Sequence, residues 1–106
     1  MNNQSSLISK AFQTFMTEAS GHADAWSTLV QSLADANALD RKTAELAYLA
    51  VLAALRLESG IAFHVRSAKA AGATRAEVIS AILVGLPTAG HVVTQVLPTA
   101  IDAYDK

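Results

Sequence analysis

An all-helical fold follows from three features of the sequence. Alanine supplies 22 of the 106 residues while glycine and proline together supply seven, so helix propensity is high along almost the whole chain. Apolar residues recur at three- and four-residue spacings, which gathers them on one side of a helix. Start and stop signals for helices punctuate the chain at short intervals. A length of 106 residues suits one domain, 1–106, and 52% hydrophobic against 16% charged residues is far from the composition of a disordered segment.

About six helices are predicted. Leu7, Ala11, Phe15 and Ala19, with Phe12 and Met16 widening the stripe, predict a first helix over Leu7 to Glu18, ended by Ser20-Gly21. A second runs from His22 to Ala36, with Ala23, Trp26, Val30 and Leu33 turned inward and Asp24, Gln31 and Asp35 facing water. Asp40 is the N-cap of a third, Arg41 to Leu57, which is apolar nearly all round and therefore predicted to be central. A turn at Glu58-Ser59-Gly60 leads to a fourth helix, Ile61 to Ala71, with Gly72 as its left-handed stop. Thr74 and Glu77 form a capping box that opens a fifth, through Val84. Gly85 and Pro87 interrupt the pattern, and a last helix, Thr88 to Tyr104, contains Pro98, which should kink or split it.

Composition narrows the function classes. With no cysteine, disulfides, thiolate metal sites and thiol chemistry are excluded for this chain. A formal net charge of −1, from eight basic and nine acidic residues scattered along the chain, gives no electrostatic footprint for nucleic acid or an anionic membrane. The first ten residues are polar and do not resemble a signal peptide, so a cytoplasmic location is expected. The longest apolar run, Leu46 to Leu55, is half of what a membrane crossing needs, at about 20 residues. A mean hydropathy of +0.31 leaves more apolar surface than a monomer of this size can hide, since it buries only about 60 to 65% of its unfolded surface. A homo-oligomer resolves the excess.

The reactive groups in apolar surroundings are few: Glu45, His64 and His91, with Tyr48, Glu58 and Arg66 behind them. Three histidines spaced 42 and 27 residues apart form no local metal motif, and no glycine-rich phosphate loop or nucleophile elbow is present. No metal and no cofactor are expected. Glu45 lies one turn into the most apolar helix, where an acid can carry a proton, or where it can simply favour the helix dipole and pair with Arg41 or Lys42. His64 can exchange protons near neutral pH, or pack as a buried ring with one hydrogen-bond partner. Gly60 lies one turn before it on the same face, so the absent side chain can leave space beside the imidazole. His91 follows Gly90 and can line the same cavity or an oligomer contact. His22, Arg66 and Lys69 read as surface or helix-end residues. A hairpin turning near Glu58 would set His64 opposite residue 52 and leave Glu45 roughly 10 Å further along the axis. The two would then meet only through oblique crossing or from different subunits.

Leu39-Asp40-Arg41-Lys42-Thr43-Ala44-Glu45-Leu46, then Phe63-His64-Val65-Arg66-Ser67-Ala68-Lys69-Ala70-Ala71-Gly72-Ala73-Thr74 and Glu77-Val78, resemble the carboxymuconolactone decarboxylase family, which includes alkylhydroperoxidase D-like proteins. The resemblance covers roughly Ala38 to Ala81. It implies an alkylhydroperoxidase D-like bundle, a trimer or hexamer, and a proton-relay glutamate and histidine at Glu45 and His64. In the peroxidase branch, two cysteines precede the histidine by seven and four residues, positions held here by Leu57 and Gly60. No neighbouring group replaces a thiolate that attacks peroxide and then closes a disulfide, so peroxidase activity is not expected. The decarboxylase branch lacks that pair and acts without metal or organic cofactor on a carboxylated lactone. The expectation is therefore cofactor-free acid/base chemistry on a small carboxylated or lactone metabolite. The alternative is a non-catalytic oligomeric scaffold or small-ligand binding protein.

Overall fold

The computed structural model describes residues 8–106. Those residues form helices joined by short turns, with no strand among them: α1 (Lys10–Glu18), α2 (Ser20–Ala36), α3 (Arg41–Leu55), α4 (Glu58–Ala70), α5 (Arg75–Leu83), the short α6 (Leu86–Ala89), a 3-10 helix (Gly90–Val96) and α7 (Leu97–Asp105). The all-α expectation holds, with the boundaries moved. The predicted start of the first helix at Leu7 lies outside the described residues. The break after α1 falls at Ala19 rather than Ser20-Gly21, both of which are helical. Pro98 lies in the first turn of α7, where its missing N–H is no loss, and the predicted last helix is split beside it, the 3-10 segment giving way to α7.

The core is built by α3, α4, α5, the 3-10 helix and α7. Leu49, Leu52, Ala53, Ile61, Val65, Val78, Ile82, Val93, Val96 and Ala100 are buried in one continuous cluster. Arg75–Asp105 has the length and composition of a membrane-crossing helix, with an 18-residue window of mean hydropathy 1.6. It is nonetheless broken by the 3-10 segment and by Gly90 at φ 77°, and its Val78, Ile82, Val93 and Val96 face the core.

The first two helices depart from expectation. They pack on each other, Phe12 and Phe15 setting their rings at 5.2 and 6.4 Å from Trp26, and touch the core only marginally. Of the four side chains expected to face inward on the second helix, Ala23 alone is buried; Trp26, Val30 and Leu33 are exposed. Helical periodicity locates an apolar stripe but does not supply the surface that covers it.

Polar ties set the ends of the core helices. Asp40 Oδ1 accepts from the Thr43 N–H at 2.8 Å, capping α3. Glu77 closes the predicted capping box with Thr74 through one oxygen, and through the other meets Lys42 Nζ at 2.9 Å, so one carboxylate caps α5 and ties it to the first turn of α3. Arg75 grips Asp105 through two nitrogens at 2.9 and 3.3 Å. The Tyr104 hydroxyl donates to the Ala73 carbonyl at 2.8 Å, and Lys69 Nζ donates to the Tyr104 carbonyl at 2.6 Å, occupying an orphan acceptor at the end of α7.

Three of these carboxyls sit below their ordinary range: Asp40 through the Thr43 amide, Glu77 through Lys42 and then the Thr74 amide, and Asp105 through Arg75. A carboxyl lowered in the folded state adds stability that is present above its unfolded value, about 4, and is lost as pH falls through the lowered one. Thermal melts from pH 7 to pH 2 should therefore show the melting temperature declining below about pH 4, with Asp105→Asn and Glu77→Gln less stable at pH 7 and shallower in their decline. Tyr104→Phe should cost about 1 kcal/mol by the same melts, the net worth of one hydrogen bond.

Candidate functional site

The site lies on the α3–α4 hairpin. Arg56 ends α3 in the left-handed conformation, φ 58°, and the Leu57 N–H returns to the Leu52 carbonyl at 2.9 Å, closing the helix two residues before the predicted end at Leu57. That position usually belongs to glycine, so an arginine there gives no stop signal in the sequence. Consequently α4 starts at Glu58, inside the segment expected to be the turn.

The shorter hairpin resets the pairing of the helices. A Cβ placed on Gly60 would lie 3.5 Å from a Leu52 methyl, so residue 60, not 64, stands opposite 52. One turn further, His64 meets Tyr48, their rings 4.5 Å apart. Glu45 is three residues beyond Tyr48, about 4.5 Å along the axis, and its side chain spans that distance. The expected separation of roughly 10 Å is therefore corrected: His64 Nδ1 and Glu45 Oε2 are 3.1 Å apart within one chain.

The pair stands in a partly open setting, with His64 and Glu45 side chains 26% and 21% exposed, so solvent and a small solute can reach it. An ionised Glu45 can only accept, so with the carboxylate in that form the shared proton belongs to His64 Nδ1. The basic neighbours proposed as partners of Glu45 are engaged elsewhere, Lys42 with Glu77 and Arg41 with the Ser67 hydroxyl at 3.4 Å. The Tyr48 ring lies tilted at 52° against the imidazole, and Phe63 sets its ring edge-on at 5.2 Å. Phe63 was not singled out by the sequence; adjacency to His64 was its only signal.

The other candidates separate from this pair. Leu57 is exposed in the hairpin turn. Gly60 borders His64, but the space is that of a methyl group and not of a ligand, since its Cβ would sit 4.0 Å from His64 Cδ2. His91 is exposed on the 3-10 helix and makes no hydrogen bond or ion pair with Glu45 or His64. Glu58 is an exposed acid in the first turn of α4, and Arg66 donates to the Ala103 carbonyl at 3.5 Å. Among the described residues, no three His, Cys, Asp or Glu side chains converge as metal ligands would. An open apolar groove of about 660 Å³ lies elsewhere, between α3 and α5, and neither Glu45 nor His64 lines it.

The family model for the carboxymuconolactone decarboxylase family matches residues 21–101, a span that includes α3, α4, α5 and the Glu45–His64 pair. The chain belongs to this family. No match to a curated protein or to a solved structure reaches significance. The match takes in α2 from its second residue, so the exposed apolar helix lies within the family region and is not an appendage outside it.

Gly60→Ala tests the hairpin packing. The added methyl meets Leu52 and His64 at ordinary contact distance and removes glycine's conformational freedom, so melts should show a gain of roughly 0.5 to 1 kcal/mol.

Proposed function

We propose that this carboxymuconolactone decarboxylase family member is a cofactor-free acid/base enzyme acting on a small carboxylated or lactone-type metabolite, with His64 moving the proton and Glu45 orienting it. The observation that carries the proposal is the 3.1 Å contact between His64 Nδ1 and Glu45 Oε2 in a partly open site flanked by aromatic rings. A carboxylate held on Nδ1 fixes the tautomer and steadies the imidazolium, as a general acid/base histidine requires. In a decarboxylation the bond to the departing carboxylate breaks, and its electron pair is left on a carbon conjugated with the lactone carbonyl. A proton from His64 then occupies that carbon as carbon dioxide leaves. Leu57 and Gly60, at the positions the resemblance gives to a thiol pair, offer nothing to a peroxide.

A homo-oligomer is part of the same reading. Eleven large apolar side chains stand exposed on the described residues, among them Leu29, Leu33, Val51, Leu55 and Val84. At roughly half exposure each they leave on the order of 1,000 Å² of apolar surface in water, against about 800 Å² per partner in a stable interface.

The experiment compares His64→Ala and Glu45→Gln with wild type on carboxylated lactones, following carbon dioxide release and thermal melting together. Loss of turnover by about 10²- to 10⁴-fold with the fold retained is the expected result. If both variants melt early by about 1 to 3 kcal/mol and no substrate is turned over by wild type, the pair is a structural hydrogen bond in a scaffold or binding protein.

A further inference from the structure

The outer seam between α3 and α4 is an antiparallel ladder of side chains. Gly60 lies against Leu52, His64 against Tyr48 and Glu45, and Ser67 against Arg41. Arg41 is four residues before Glu45 on α3 and Ser67 three after His64 on α4, spacings that keep each pair on one helix face. The guanidinium therefore stands one turn, about 6 Å, from the Glu45–His64 pair along the seam.

No acid pairs with Arg41 among the described residues. Its neighbour Asp40 is turned to the Thr43 amide, Glu45 to His64, and Glu77 to Lys42. Arg41 itself is exposed, and its Nη2 donates to the neutral Ser67 hydroxyl at 3.4 Å. The cations of α4 point away from this seam, Arg66 and Lys69 donating to the Ala103 and Tyr104 carbonyls of α7. A guanidinium presents its N–H donors as a fixed fork that takes both oxygens of one carboxylate, and a single contact to a hydroxyl leaves most of that fork open.

We propose that Arg41 is the substrate-holding residue of this site. It takes a carboxylate of the substrate in its fork, with Ser67 steadying the guanidinium, and so sets the rest of a small lactone beside His64. The carboxylate it holds is one that the reaction leaves in place, because a cation on a departing carboxylate would stabilise the ground state and hold back the electron pair that must leave it. The inference rests on the acid/base reading above, to which it adds the residue that recognises the substrate's charge.

The probe is γ-butyrolactone-γ-carboxylate, whose carboxylate is not conjugated with the lactone carbonyl and so does not depart. It is titrated into the full chain at constant ionic strength while the imidazole NMR signals of His64, identified by their loss in His64→Asn, are followed. Wild type should show a saturable shift, and the neutral methyl ester none at the same concentrations. Arg41→Gln should weaken binding of the carboxylate by about tenfold or more with helical content unchanged, the loss of a charge-assisted contact. Lys10→Gln, which removes an exposed positive charge on α1, should bind as wild type, so that a local contact is separated from bulk charge. An Arg41→Gln variant that binds as tightly as wild type overturns the assignment, as does equal binding of the ester or the absence of any shift in wild type. Turnover assays on carboxylated lactones keep the two readings apart. Weakened binding in Arg41→Gln beside a wild type that turns over no lactone retains Arg41 as the anion-holding residue and overturns catalysis, and unweakened binding beside an active wild type overturns Arg41 alone.

Discussion

The register of α3 against α4 is the constraint on which the site depends. It is set where α3 stops: a left-handed Arg56 and the bond from the Leu57 N–H to the Leu52 carbonyl turn the chain within two residues. Gly60 then lies on Leu52, His64 on Tyr48, and Glu45 one turn beyond. A hairpin closing two residues later would shift the pairing by about one helical turn, and the carboxylate would no longer reach the imidazole. The same register buries Leu49, Leu52, Ile61 and Val65, so the core enforces the geometry that joins the two polar groups.

Competition for carboxylates and cations around α3 also falls in favour of that pair. Lys42 is one turn from Glu45 and would be its natural partner, yet it is drawn to Glu77, whose second oxygen is held by the capping box of α5. Glu77 thereby fixes α5 against α3 and frees Glu45 to meet His64. Several of the few charges in the fold serve a helix end or a tie between helices, as with Arg75 and Asp105, Lys69 and the α7 carbonyl, and Asp40 at the N-cap of α3.

Absent thiols give the site its chemical character. With Leu57 in the turn and Gly60 against Leu52, the segment that precedes the histidine is occupied by packing and by chain reversal. What remains is an imidazole, a carboxylate in hydrogen-bond contact with it and two aromatic neighbours. On the proposed reading these suffice for proton transfer beside a carbonyl, which needs neither an electron acceptor nor a metal.

The sequence by itself determined the helical class, because alanine-rich propensity, periodicity and caps are local properties: the Thr74–Glu77 box and the Asp40 cap lie where their residues predict. It also marked Glu45 and His64, since polar groups in apolar helices are visible without coordinates. It did not reveal that α3 ends at Leu55, because the residue that ends it is an arginine in a conformation normally marked by glycine. One turn of helix hung on that residue, and with it the distance between the two candidate groups. Nor did periodicity tell that α2 carries its apolar stripe away from the core, since a stripe records that a face is to be covered and not by what. Tertiary structure alone decided both, because register and cover depend on residues far apart in the chain.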